Sequence, residues 1–150
     1  MVWTQKESGL LTDLQKQEQT CIDKYNRYAS QACDPTLKDL FTRFAQNEQT
    51  HLNTVNTMMG GSIPQIGGQG DTASSRFSPE PSCCDAAGKA QDAYLCRDAL
   101  STEKHVSSVY DTSVFEFRDQ SARDVLNHIQ GEEQEHGKMI YDYMSVNDMY

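Results

Sequence analysis

Apolar side chains recur every three or four residues along four stretches of the chain, which is the spacing of a buried helical stripe. The first stripe passes through Leu11, Leu14, Glu18, Cys21, Tyr25, Tyr28 and Ala32. The second passes through Leu37, Phe41, Phe44, Glu48, His51, Val55 and Met58. The third takes in Cys96, Leu100, Glu103, Val106, Tyr110, Val114 and Phe117, and the fourth Ala122, Leu126, Ile129, Glu133, His136, Ile140 and Tyr143. The pattern predicts a helix from about Ser8 to Ala32, with Ser8 or Thr12 as its N-cap. A second follows from Pro35 to Met59, with Asp34 as cap and Pro35 at its first position. A third covers about Ala90 to Phe117, and a fourth runs from the turn "RDQSA" to about Met144. Residues 60–88, "GGSIPQIGGQGDTASSRFSPEPSCCDAAG", are rich in glycine and hold three of the four prolines, a composition that breaks helices.

The two halves repeat. Adding 85 to a position in the first half brings Glu18 onto Glu103, Tyr25 onto Tyr110 and Asp34 onto Asp119. Glu48 falls on Glu133, His51 on His136 and Met59 on Met144, with no gap. Two copies of one helical hairpin are too few for a solenoid, and a closed bundle buries both stripes. The expected architecture is all-α: an antiparallel four-helix bundle and a single domain over 1–150. Hairpin one covers 8–59, hairpin two 90–144, and a long crossover (60–88) joins them. A bundle of ~35–40 Å is well within reach of such a connection.

Four glutamates and two histidines sit on stripes where apolar residues are expected: Glu18, Glu48, His51, Glu103, Glu133 and His136. A buried carboxylate has to be paired or bound to a metal. Two histidines cannot neutralise four carboxylates, and no lysine or arginine lies on any stripe. Glu48–His51 and Glu133–His136 are i,i+3 pairs on one helix face. Glu18 and Glu48 are 30 positions apart across the first turn, as are Glu103 and Glu133 across the second, so all six fall at one level of the bundle. One glutamate from each of two helices and Glu-x-x-His from each of the other two is the di-iron or di-manganese carboxylate pattern. The expected cofactor is a pair of iron or manganese ions. The alternative is a metal-free network of protonated carboxyls and histidines. Tyr25 and Tyr110 are core tyrosines able to hydrogen-bond a ligand. His105 and His128 lie off the stripes and read as surface residues. Replacing Glu48 or Glu133 by Gln is expected to weaken metal binding and to stabilise the metal-free protein by relieving repulsion.

Composition narrows the class further. A net charge of -9 argues against nucleic acid and anionic membranes as partners. No apolar run reaches the ~20 residues of a membrane span, and "MVWTQKESGLLTDLQKQEQ" has no hydrophobic core of a signal peptide. The five cysteines (Cys21, Cys33, Cys83, Cys84, Cys96) contain no C-x-x-C pair, so reduced thiols in a cytoplasm are expected, with Cys83 and Cys84 in the connection.

The segments "LQKQEQTCIDKYNRYASQACDPTLKDLFTRFAQNEQTHLNTVNTMM" and "YLCRDALSTEKHVSSVYDTSVFEFRDQSARDVLNHIQGEEQEHGKMIYDYM" resemble the ferritin-like superfamily. Within it, the chain is most similar to the spore coat protein F-like proteins of endospore-forming bacteria, and more distantly to rubrerythrin. The resemblance implies synthesis in the cytoplasm of the sporulating mother cell, then a place in the spore coat. It also implies other coat proteins, or a second copy, as partners. The superfamily's activities suggest a di-iron oxidoreductase, reducing peroxide or oxidising Fe(II), as the alternative function, with O2 or peroxide as small oxidant. Iron storage ranks behind both. Rubrerythrins have a further glutamate where this chain has Val106.

Overall fold

The computed structural model describes residues 1–66 and 76–150. The glycine- and serine-rich part of the connection, 67–75, lies outside the described residues. Among the described residues four helices stand out: α1 (Gln5–Gln31), α2 (Pro35–Met59), α3 (Ala86–Glu116) and α4 (Gln120–Val146).

All four helix starts follow from local side-chain chemistry. Asp34 caps α2 by accepting from the Thr36 amide, with Pro35 in the first turn, as expected. Asp119, its repeat partner, caps α4 through the Ala122 amide. The first helix begins earlier than the stripe suggests. Thr4, not Ser8 or Thr12, is its cap: the Thr4 hydroxyl accepts from the Glu7 amide while the Glu7 carboxylate accepts from the Thr4 amide. The reciprocal bonds satisfy two otherwise free donors of the first turn, and apolar periodicity does not register them. Likewise α3 starts at Ala86 rather than Ala90, because Asp85 accepts from the Gly88 amide.

Side chains of all four helices share one core. Every residue of the first, second and fourth stripes is buried; on the third, Leu100 and Val114 are only partly covered. The hairpins are antiparallel by construction. At one end of the bundle Trp3 packs edge-on against Phe117, ring centres 5.3 Å apart, and Arg118 approaches Glu7. At the other end Cys33, in the α1–α2 turn, meets Cys84, just before α3. Therefore α3 runs antiparallel to α1, and residues 60–85 carry the chain from one end of the bundle to the other. None of the described helices is long and apolar enough to cross a membrane.

Cys33 and Cys84 form a disulfide, with Cα atoms 6.5 Å apart; Cys21, Cys83 and Cys96 are free. This corrects the expectation of five reduced thiols. The two partners are 51 positions apart, and only the direction of the crossover brings them to the same end. A Cβ on Gly88 would lie 2.7 Å from the Cys33 sulfur and 3.1 Å from the Cys84 Cβ, so the bridge needs glycine at that position. Titration of the denatured, unreduced protein is expected to find the three free thiols. Gly88→Ala is expected to raise that count toward five, and an unchanged count would refute the packing argument.

The repeat relation extends to buried carboxylates that the stripes miss. Asp92 is fully buried and accepts from the amides of Cys33 (2.7 Å) and Asp34 (3.0 Å). Glu7, 85 positions earlier, accepts from the Arg118 amide at 3.4 Å. Each hairpin thus supplies an acid that satisfies the turn of the other. The same offset of 85 was the available signal in the sequence.

Candidate metal centre

Glu18, Glu48, His51, Glu103, Glu133 and His136 come from four different helices and are all at most 3% exposed. They meet at one level of the bundle as two overlapping sets. Glu18, Glu48, His51 and Glu133 each offer an atom within 4.8 Å of the others; so do Glu48, Glu103, Glu133 and His136. Glu48 and Glu133, the glutamates of the two Glu-x-x-His pairs, belong to both sets. Glu18 and Glu103 each belong to one.

The imidazoles are oriented alike. The Nδ1 of His51 faces inward, 2.9 Å from Glu133, 3.4 Å from Glu48 and 3.7 Å from Glu18. The Nδ1 of His136 lies 3.2 Å from Glu48 and 3.4 Å from Glu103, without an aligned hydrogen bond, so the attraction there is that of opposite charges. Each Nε2 points outward to a repeat-related partner: Glu132 at 2.9 Å for His51, and Asn47 at 2.8 Å for His136. A polar acceptor on the far nitrogen fixes the ring and leaves Nδ1 for the interior. Glu132 and Asn47 lie off the stripes, so helical periodicity passes them over; the offset of 85 links them. His128 is partly exposed and 3.4 Å from Glu132, while His105 faces solvent.

The tyrosines cross over between hairpins. Tyr110 donates to Glu18 at 2.5 Å, and Tyr25 donates to Glu103. Each hairpin's tyrosine therefore orients the single-set glutamate of the other hairpin. Burial pushes both phenols up, reinforced by these carboxylates, so they remain donors.

The titration of the cluster follows from packing six ionisable groups together. Burial, then the neighbouring carboxylates, pushes Glu103 up to about 8, and burial raises Glu18 well above the carboxylate range despite the pull of His51. Burial also opposes ionisation of Glu48, but the two histidines overcome it and hold that group at about 2. Glu133 is likewise lowered against burial, by hydrogen bonding with Glu103 and the two histidines. Burial disfavours protonated His51 and His136, yet the surrounding carboxylates raise both well above the usual imidazole value. The metal-free cluster thus balances two acids, two carboxylates and two imidazoliums.

That balance does not complete the bonding. Within the cluster, Glu18 Oε2, both oxygens of Glu48, Glu103 Oε2, Glu133 Oε2 and His136 Nδ1 are buried without a hydrogen-bond partner; outside it, so is Glu135 Oε2. An orphaned buried polar atom is costly. Here six such atoms converge, five of them hard oxygen donors of the kind that suit iron and manganese, together with imidazole nitrogen.

Residues 91–150, the larger part of α3, all of α4 and the tail, match the Coat F domain family. The likeness to that family covers this second part of the chain. The matched segment contains Glu103, Glu133, His136 and Tyr110, half of the cluster and one of its tyrosines. Comparison with curated proteins and with solved structures gives no match.

Proposed function

We propose that this Coat F-type protein is a spore-coat component whose bundle holds two metal ions, iron or manganese, in a carboxylate site. The observation that carries the reading is the gathering of six unpartnered buried polar atoms in two overlapping donor sets at one level of the bundle. Glu18 and His51 would hold one ion, Glu103 and His136 the other, with Glu48 and Glu133 shared between them. Bound iron would supply one-electron redox chemistry and Lewis acidity. The chain's own part is to orient the carboxylates through Tyr25 and Tyr110, fix the imidazoles through Glu132 and Asn47, and keep solvent from the floor of the site.

Placement in the coat rests on the Coat F match. Contact with other coat proteins, or with a second copy, rests on the same match. Chelator-stripped protein reloaded with Mn(II), or anaerobically with Fe(II), is expected to take up two ions per chain by elemental analysis. One ion or none would reject the two-metal reading and leave the metal-free polar network.

A second reading, oxidation of Fe(II) or reduction of peroxide at the same residues, is favoured by a cleft that reaches Glu103 and Glu133 from the surface. Its test is whether Fe(II)-loaded protein is oxidised by peroxide faster than Fe(II) in buffer.

A further inference from the structure

The two hairpins are alike at the metal centre and differ beside it. Between α3 and α4 lies a cleft of about 470 Å³ whose walls include Leu100, Ser107, Gln130 and Gly137, and which Glu103 and Glu133 also line. A 3.3 Å hydrogen bond from the Gln130 side chain to the Ser107 hydroxyl bridges the two helices there. Subtracting 85 gives the corresponding positions of the first hairpin. Ser107 becomes Ile22, Gln130 becomes Ala45 and Gly137 becomes Leu52, each at most 8% exposed. The same interhelical space is therefore filled by hydrocarbon on one side of the bundle and left polar and open on the other. The helices reflect this: α1 and α2 pack together more extensively than α3 and α4.

From this asymmetry we infer that the α3–α4 cleft is the entry port through which cations reach the buried cluster, and that the α1–α2 side is sealed. The inference rests on the two-metal reading above. The chemistry of the cleft suits a cation shedding its hydration shell. Ser107, Ser108, Gln130 and Gln134 offer neutral oxygens along the way, Asp111 adds a carboxylate at the rim, and Glu133 and Glu103 wait at the floor. Lys104 is the one lining residue of opposite charge; it is exposed and free to swing into solvent. Ions arriving this way meet Glu133, a member of both ligand sets, and so reach the second position without crossing apolar packing. Burying a hydrated cation against Ile22 and Leu52 has no such compensation.

The repeat supplies its own test. The triple variant Ser107→Ile, Gln130→Ala, Gly137→Leu gives the second hairpin the side chains of the first. A Cβ on Gly137 meets only Leu100 Cδ1, at 3.7 Å, an ordinary contact, so Gly137→Leu alone is the fallback if the triple variant fails to fold. Co(II) uptake by stripped protein is followed by visible absorbance in a stopped-flow instrument, and its end point by elemental analysis. The plugged variant is expected to reach the wild-type end point at a rate slower by about tenfold or more, since entry then waits on local opening of packed helices. Wild-type kinetics in a folded plugged variant would overturn the port while leaving the metal site standing. A wild-type protein that takes up no Co(II) would overturn both.

Discussion

Glu48→Gln is expected to abolish tight binding of both metal ions, whereas Glu18→Gln costs one. Glu48 lies within ligand distance of both donor sets, and Glu18 of only one. Exchanging a carboxylate that belongs to both sets for an amide would remove a negative charge and a hard oxygen donor from both proposed positions at once. The loss should exceed the ~10–100-fold seen when an outer hydrogen-bond partner of a ligand is removed. Competition with a chromophoric chelator measures it: two weakened equivalents for Glu48→Gln, one for Glu18→Gln. Equal losses in the two variants would contradict the sharing of Glu48. The same pair separates metal binding from metal-free stability. Charge repulsion alone suggests that neutralising Glu48 stabilises the stripped protein. The geometry moves that gain to Glu18 and Glu103, whose ionised forms burial and neighbouring carboxylates disfavour. Glu48 is held ionised at about 2 by both histidines, so its amide leaves two imidazoliums short of a counter-charge. In stripped protein Glu18→Gln should raise the Tm and Glu48→Gln lower it, at roughly 2–4 °C per kcal/mol for a chain of this size.

Metal and pH should act on stability in opposite directions. In the stripped protein, His51, His136, Glu18 and Glu103 all titrate above their unfolded values. Their contribution is complete below the unfolded pKa and disappears as pH rises through the folded one, a range that includes about 8 for Glu103. Glu48 and Glu133 are shifted down, so their contribution is present above the unfolded carboxylate value and is lost as pH falls, toward about 2 for Glu48. Stripped protein should therefore melt highest in mild acid, between the unfolded carboxylate and imidazole values of about 4.5 and 6.5, and lower above pH 8. Loading two divalent cations requires four carboxylates and two neutral imidazoles, which means releasing the protons held by Glu18, Glu103, His51 and His136. Metal affinity should rise steeply with pH, and so should the gap between loaded and stripped melting temperatures. A hundredfold excess of free metal over Kd is worth about 2.7 kcal/mol per site, or roughly 5–11 °C. Thermal melts from pH 5 to 9, with and without Mn(II), test this. A gap that stays constant with pH would contradict proton release.

What was legible in sequence is what each helix turns toward the core on its own apolar face. The six cluster residues were legible because two local rules intersect: a 3.6-residue period marks which side chains turn inward, and a gapless repeat sets their levels. Those rules also gave the four helices and the cap at Asp34, and aligned Asp34 with Asp119, which caps α4. They misplaced the start of α1, because the Thr4–Glu7 capping box lies before the first apolar residue of the stripe. They passed over Glu7, Asp92, Asn47 and Glu132, which act on another helix's turn or ring rather than on their own helix's core face.

The sequence by itself determined an all-α bundle of two related hairpins with six ionisable side chains directed into its core, because periodicity and repetition are properties of the chain taken along its length. Only the tertiary structure decided that Cys33 bonds Cys84, which glutamates belong to both donor sets, and that one side of the cluster adjoins a cleft where the other is packed with Ile22, Ala45 and Leu52. Each of these depends on which helix ends meet and how closely two faces approach, and such distances arise only when segments far apart in sequence are packed together.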